Sequence, residues 1–224
     1  MSGVIYWTTD IGGYAGGVCG APDYDELIVR WYQWGAFCSV FRTHGRRGHC
    51  ENEIWEYGNA SYEAIKEVVL MRKFLSGYVR NAWRTAARDG TPVMRPLFWD
   101  YSIPHVNNNT IPSPHSHVIN HSPLTTNVNT NTTPIITTDI TTDTILDVHD
   151  IDDQMLFGDR LLVAPQFQRL SEGGGSRLVF LPALNASERW RDWWSNKTVN
   201  TSEAQWVRVQ TPLNRFGLFE RVRV

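Results

Sequence analysis

The sequence pattern changes twice along the 224 residues, near residue 101 and near residue 150, and these two changes are the strongest limits on the fold. Helical hydrophobic spacing dominates up to about residue 101, whereas short apolar runs separated by Gly-rich or Asn-rich turns follow residue 150. Residues 102–149 are rich in Asn, Thr, Pro and His and have little amphipathic period. We therefore predict an α/β segment at 1–101, a mobile insertion at 102–149 and an antiparallel, all-β domain at 150–224.

The first segment has the pattern of a βαβ unit. Residues 4–9 are β-branched and aromatic, which predicts a strand that ends at Asp10 before a glycine-rich loop. Residues 22–35 predict a helix, and residues 37–41 predict a second strand, followed by polar residues that include His44. A helix-sized separation between two strands favours parallel pairing.

Regular patterns continue on both sides of the insertion. Apolar spacing from residue 59 to 89 predicts a long helix, which Ser76 and Gly77 divide or kink and after which Gly90 takes the left-handed position. Beyond the insertion, short strands are predicted at residues 161–164, 178–181 and 206–209 with no helical pattern between them.

Composition limits the classes of partner. The formal net charge of −2, with scattered Lys and Arg, gives no basic face for nucleic acid, and no apolar run approaches the ~20 residues of a membrane span. Ten tryptophans are compatible with stacking on sugar rings, although most of them are expected in the core. The sequence does not determine an oligomeric state.

The cysteines and histidines predict no metal site and no cofactor. Cys19, Cys38 and Cys50 form no Cys-x-x-Cys pair, which leaves room for one bridge and one free thiol. Three histidines of the insertion have no helix or hairpin to fix metal geometry, and we expect solvated loop residues: His115, His117 and His121.

Seven Asn-x-Ser/Thr sequons allow glycosylation in a secretory or extracellular location: Asn59, Asn108, Asn120, Asn131, Asn185, Asn196 and Asn200. The compartment is not otherwise indicated. The first residues lack a basic region and a long apolar stretch, so any signal peptide is expected to precede Met1.

Two motifs follow each other in a specific order. Residues 7–14 read Trp-Thr-Thr-Asp-Ile-Gly-Gly-Tyr and precede a Glu-Leu-x-x-Arg-Trp helix at 26–31, and residues 37–45 read Phe-Cys-Ser-Val-Phe-Arg-Thr-His-Gly. Further motifs continue the order at 95–98, 153–165, 180–182, 190–194 and 212–215. This order resembles glycoside hydrolase family 31 over residues 4–101 and 150–222.

The resemblance implies the C-terminal portion of a (β/α)8 TIM barrel, followed by an appended antiparallel β-sandwich domain. It also implies a retaining enzyme that hydrolyses terminal α-O-glycosidic bonds in an oligosaccharide or glycoside substrate. The residues of the two motifs resemble those of α-xylosidase-like members more closely than those of lysosomal-type α-glucosidases. Retaining glycosidases use two carboxyl groups about 5–5.5 Å apart, a nucleophile and an acid/base.

Three site residues follow from the resemblance. Asp10 is expected to line the subsite of the cleaved sugar, His44 to hydrogen-bond a sugar hydroxyl, and Tyr14 to form an aromatic wall. Without the ordered motifs, a turn cap for Asp10 and a backbone contact for His44 would be the better interpretations.

The catalytic carboxyl groups are not assigned. The nucleophile motif Trp-x-Asp-x-x-Glu and the acid/base motif Trp-x-Gly-Asp do not occur in these residues. We expect both upstream, so this chain alone is expected to be inactive, and the alternative is a truncated, non-catalytic remnant.

Three positions depart from the family pattern. Asn52 stands where an Arg is common, Ser76-Gly77 replaces a Pro, and Asn214 replaces an Asp. The change at Asn52 is expected to remove an ion pair near the pocket rim.

Overall fold

A computed structural model describes residues 6–46, 48, 50–101 and 151–224. The predicted insertion at 102–149, with its three histidines, lies outside these residues. The helices are α1 (Pro22–Gly35), α2 (Gly58–Phe74) and α3 (Ser76–Asp89). The strands are β1 (Met94–Arg95), β2 (Met155–Phe157), β3 (Leu161–Ala164), β4 (Ser176–Leu181), β5 (Glu188–Asp192), β6 (Thr198–Val199), β7 (Gln205–Gln210) and β8 (Gly217–Arg223).

The helices begin and end where the sequence predicts. Pro22 opens α1, because its fixed φ suits the first helical turn and its missing N–H removes no helical bond. The long helix is divided at Leu75 into α2 and α3, and α3 ends at Gly90 with a φ of 78°. Within the described residues, no helix combines the length and apolar character that a membrane crossing needs.

The two predicted parallel strands are wrong. Residues 6–9 and 37–41 form no strand, and the two segments meet in a single parallel bridge between Ile11 and Thr43. A pair of short parallel segments without neighbouring strands makes few ladder hydrogen bonds and buries little apolar surface. Residues 4 and 5 of the first prediction lie outside the described part.

The C-terminal part is a two-layer antiparallel structure. Six strands form one sheet in the order β1-β2-β3-β8-β5-β6, and β4 and β7 form a second sheet. Side chains from both sheets share one apolar core, in which Leu162, Val179, Val207, Trp190 and Phe219 are buried. The three predicted C-terminal strands are confirmed, and the second sheet covers one face of the first.

A second apolar core joins the helices to the larger sheet. The Phe37 ring lies edge-on to Phe157 of β2, at 5.3 Å between centroids, and to Phe216, at 5.8 Å. Trp193 and Trp194 are half-buried against this core. The larger sheet therefore packs against the sandwich partner on one side and the helices on the other.

Candidate functional site

The single parallel bridge brings two predicted site residues to the same place. Asp10 precedes Ile11, and His44 follows Thr43, so each lies one residue from the bridge. The Ile11 N–H donates to the Arg42 carbonyl, and the His44 N–H donates to the Ile11 carbonyl, both at 3.3 Å. These bonds fix the backbone that carries the two side chains.

Tyr14 lies beside His44. The two ring centroids are 5.8 Å apart with an interplanar angle of 40°. The Arg46 N–H donates to the Tyr14 carbonyl at 2.7 Å, which ties the loop that follows Asp10 to the loop that follows His44. The aromatic residue expected in the pocket wall therefore belongs to the same loop cluster as the imidazole.

Asp10 has an unusual backbone conformation and a charged partner. Its φ is 45°, in the left-handed region that non-glycine residues seldom adopt. The Gly13 N–H donates to its carbonyl at 2.8 Å, which closes the turn. Its carboxylate Oδ1 lies 2.9 Å from Nη2 of Arg42. Non-glycine residues held in this region often occur where a side chain must be aimed at a ligand.

Arg42 belongs to the candidate site but was not among the residues predicted from the sequence. Arg42 belongs to the Phe-Arg-Thr-His motif. Its place in that motif, two residues before His44, was the signal that could have identified it. Its side chain is 47% exposed and that of Asp10 is 42% exposed, so the ion pair is open to solvent and to a ligand. An exposed pair of this kind adds little stability, which leaves orientation of the carboxylate as its main effect.

The loops around the site are cross-linked. Cys19 and Cys50 form a disulfide with Cα atoms 5.8 Å apart, and this bridge joins the loop after Tyr14 to the loop after His44. Cys38 is the free thiol and is buried. Burial raises the pKa of the Cys38 thiol to about 12. Glu56 lies near both bridged sulfur atoms, but sulfurs bonded to each other offer no thiolate to a metal ion.

The site is an open surface in the part of the chain that is described. Tyr14 is 61% exposed, and His44 is also exposed. A cavity of about 310 Å³ lies elsewhere, between α1 and the loop after β3, with walls that include Trp31, Trp34 and Phe167. The three predicted residues do not line that cavity.

The chemistry of the cluster suits a ligand rich in hydroxyl groups. A carboxylate accepts two hydroxyl hydrogen bonds, and a neutral imidazole both donates and accepts one. The guanidinium of Arg42 contributes donors only, so it complements the carboxylate of Asp10. An aromatic ring beside these groups packs against apolar C–H surface and excludes water.

Two family models match the chain. The model of the glycosyl hydrolases family 31 TIM-barrel domain covers residues 1–81, and that of the glycosyl hydrolase family 31 C-terminal domain covers residues 133–222. The predicted fold class, part of a (β/α)8 barrel followed by an antiparallel β-domain, is confirmed.

Several relatives match along almost the whole chain. Alpha-xylosidase A of Aspergillus niger is 29% identical over 96% of this chain and 26% of its own length. Alpha-xylosidase of Saccharolobus solfataricus is 27% identical over 99% of this chain and 23% of its own length. The structure of a GH31 alpha-xylosidase from a soil metagenome, complexed with xylose, superposes with a TM-score of 0.70 at 31% identity and covers 98% of this chain and 28% of that protein.

This chain spans about a quarter of the length of those relatives. Both of its halves match the same family, in the same order as the quoted motifs, and the solved relative shares the fold through both halves. The chain belongs to glycoside hydrolase family 31.

Proposed function

We propose that this chain supplies sugar-binding residues to a retaining α-glycosidase that hydrolyses terminal α-O-glycosidic bonds. The observation that carries the proposal is the position of Asp10 and His44 on either side of the Ile11–Thr43 bridge, in a member of family 31. An oligosaccharide or a glycoside is the ligand. We expect no nucleic acid partner, because the formal net charge is −2.

Each side chain has a proposed role in the sugar subsite. The Asp10 carboxylate accepts hydrogen bonds from two sugar hydroxyls, and Arg42 holds that carboxylate in position through the 2.9 Å ion pair. His44 hydrogen-bonds a further hydroxyl, and Tyr14 packs beside the sugar ring. These are binding roles, and their effect on rate comes from contacts that strengthen as positive charge develops on the sugar.

The covalent steps need groups that we do not assign within these residues. In a retaining mechanism, one carboxylate attacks the anomeric carbon and a carboxylic acid protonates the leaving oxygen, with about 5–5.5 Å between the two groups. Neither sequence motif for these groups occurs in the 224 residues. We therefore propose that both carboxyl groups come from barrel strands outside this chain.

The substrate class proposed first is an α-xyloside. Two of the relatives carry the name alpha-xylosidase, and the solved relative with a TM-score of 0.70 is complexed with xylose. An α-glucoside is the alternative, because Neutral alpha-glucosidase AB of Dictyostelium discoideum is 26% identical over 99% of this chain. The two sugars differ by a hydroxymethyl group, so the choice depends on whether the pocket admits that group.

Sugar binding by the chain itself tests the proposed subsite. Methyl α-xyloside is titrated into the 224-residue chain and followed by NMR. Asp10→Asn and His44→Ala are each expected to weaken binding about tenfold, since each removes a hydrogen bond to a charged or polar group. Asp152→Asn, an exposed carboxylate near the start of the β-domain, is the matched control. Equal affinity in all variants would refute the assigned roles.

Hydrolysis tests the proposed reaction. Aryl α-xyloside and aryl α-glucoside are offered to the chain and to a chimera in which it replaces the matching segment of Alpha-xylosidase A. Activity that appears only in the chimera, and falls with Asp10→Asn, supports the proposal. Turnover by the chain alone would mean that the catalytic carboxyl groups were placed wrongly.

A second candidate function is sugar binding without hydrolysis, as expected of a non-catalytic remnant. Neither carboxylate motif occurs in the 224 residues, so this candidate applies to the chain taken without further barrel strands. A chimera that binds methyl α-xyloside but releases no aryl product would support this reading over the first.

We propose that the chain divides at residues 101 and 150. The composition change at 102–149 supports it. We expect limited proteolysis to cut within 102–149 first, because a segment of this composition buries little apolar surface. First cuts within β3 or β8 would argue against that division.

A further inference from the structure

We infer that Asn52 is a positioning residue that braces the Asp10 loop (residues 10–20) against the His44 loop (residues 42–46) and holds the His44 backbone in place. The inference rests on the proposed sugar subsite. Asn52 stands at a position where this chain departs from the family pattern. From the sequence, only the loss of an ion pair was expected there.

The Asn52 side chain bridges two structural elements. Its Nδ2 donates to the His44 carbonyl at 3.2 Å, and its Oδ1 accepts from the Tyr57 hydroxyl at 2.9 Å. Asn52 is 6% exposed and Tyr57 is 1% exposed, so the bond between them is buried, whereas the bond to the His44 carbonyl is partly buried. A buried amide that lost one of these bonds would leave an unsatisfied polar group, which is costly.

The same amide is in close contact with both site loops. A Cβ atom added to Gly12, two residues after Asp10, would overlap the Asn52 amide. A Cβ atom added to Gly45, directly after His44, would lie 2.8 Å from Nδ2 of Asn52. The Gly13 carbonyl oxygen lies still nearer to that Cβ position, at 2.5 Å, so the two loops touch directly and Asn52 packs against both of them beside this contact.

The backbone of Asn52 is held in a conformation that suits few residues. Its φ is 65°, which asparagine tolerates better than most side chains do. Cys50, two residues earlier, is bonded to Cys19 of the Asp10 loop. The disulfide and the left-handed backbone conformation of Asn52 together direct its amide towards the two loops.

Asparagine meets the three requirements of this position, which concern its hydrogen bonds, its backbone conformation and its size. It offers a donor to the His44 carbonyl and an acceptor to the Tyr57 hydroxyl, it adopts a positive φ, and it is short enough to pack against Gly12 and Gly45. Aspartate has the same shape, but its ionised carboxylate cannot donate, so it would face the His44 carbonyl with like partial charge.

The test compares two substitutions with matched controls in the full chain. Asn52→Asp keeps the shape and removes the donor, whereas Asn52→Gly keeps the backbone conformation and removes the amide. Asn196→Asp and Asn196→Gly are the controls, because Asn196 has a φ of 59° but is exposed and lies in the β-domain. Tyr57→Phe is a milder third variant that removes only the hydroxyl that holds the amide.

Two readouts separate positioning from general stability. The first is the affinity for methyl α-xyloside, which both Asn52 variants are expected to lower about tenfold and Tyr57→Phe by about threefold. The second is the NMR signal of the His44 ring, which lies 5.8 Å from the Tyr14 ring and shifts when the two loops move apart. The Asn196 variants are expected to change neither quantity.

The outcomes also distinguish the two proposals. If Asp10→Asn weakens binding but Tyr57→Phe and the Asn52 variants bind as tightly as wild type with an unmoved His44 signal, the positioning role is overturned and the subsite stands. If Asp10→Asn does not weaken binding, the subsite itself fails. A displaced His44 signal in the Asn52 variants would then still support the structural coupling of the loops.

Discussion

The site loops and the β-domain are held together in different ways. Among the described residues from 6 to 57, the two chain segments of the site meet in one parallel bridge, four scattered backbone hydrogen bonds, one disulfide and a few side-chain hydrogen bonds. In the β-domain, β3 and β8 pair at four consecutive positions, and β5 and β8 pair at five. The site segments combine scattered backbone bonds with individual side chains, whereas the sheets depend on continuous runs of backbone bonds.

This difference predicts how substitutions act. A strand pairing is shared among many backbone groups, so replacing one exposed side chain in the sheet has a small effect. In the site segments, the Asn52 side chain alone makes two bonds, to the His44 carbonyl and to the Tyr57 hydroxyl. The residues that decide the geometry of the site are therefore expected to be side chains that contact distant backbone carbonyls.

The largest effect is expected from Arg30→Met, which breaks the junction between the two regions. Arg30 of α1 is 9% exposed and donates to the carbonyls of Thr211 at 2.9 Å, Arg215 at 2.9 Å and Pro212 at 3.1 Å. Removing a buried charge that satisfies several carbonyls should cost about 3–5 kcal/mol of unfolding free energy. Urea denaturation measures this loss.

The control for that experiment is Arg208→Met, on the exposed face of β7. It is expected to change the unfolding free energy by less than about 0.5 kcal/mol. A similar loss in both variants would mean that the junction at α1 is no more sensitive than the sheet surface.

The next effect is expected from breaking the disulfide with Cys19→Ser and Cys50→Ser together. The bridge closes a sequence separation of 31 residues, for which loop entropy predicts a stabilisation of about 3.7 kcal/mol. Amide hydrogen exchange should accelerate in the site loops and stay unchanged in β3 and β8. Uniform acceleration along the chain would show that the two regions unfold as one unit.

A smaller effect is expected at alkaline pH from Tyr78, which joins α3 to the larger sheet. Its hydroxyl donates to the Phe157 carbonyl at 2.7 Å and accepts from the Arg160 N–H at 3.1 Å. Burial raises the pKa of Tyr78 to about 12, above the value of about 10 in an unfolded chain. The stability that the neutral phenol contributes is therefore complete below pH 10 and is lost as the pH rises towards 12.

Tyr78→Phe should lower the unfolding free energy by about 1–2 kcal/mol at neutral pH and flatten its decline between pH 10 and 12. Burial also raises the pKa of Tyr101 to about 12, so Tyr101→Phe should remove a separate part of the same decline. Denaturation at a series of pH values measures both slopes. An unchanged slope in Tyr78→Phe would contradict the assignment.

The smallest effect on stability is expected from treating the folded chain with iodoacetamide. Cys38 is buried, and its thiol has a pKa of about 12, so little thiolate is present at pH 8. Alkylation should be at least about 100-fold slower than in urea and should leave the unfolding free energy unchanged. Rapid labelling of the folded protein would show that the loop region around Cys38 opens readily.

Local sequence patterns predicted the parts of the fold that local contacts stabilise. The three helices and the strands β3, β4 and β7 formed where apolar periodicity placed them, because each has a continuous buried face. The strands predicted at 4–9 and 37–41 had a similar composition but only one bridge between them. Their pairing depends on neighbouring strands, which no local pattern specifies.

Ordered motifs indicate the family, the order of the two domains and the residue types at the candidate site, because residue order carries that information without coordinates. The folded chain was needed to show that Arg42 pairs with Asp10, that Cys19 bonds Cys50, and that Asn52 packs against both site loops. The bonds among these contacts join residues that are 8 to 32 positions apart in the sequence. Their formation depends on how the loops return to one another in space, which spacing along the chain does not specify.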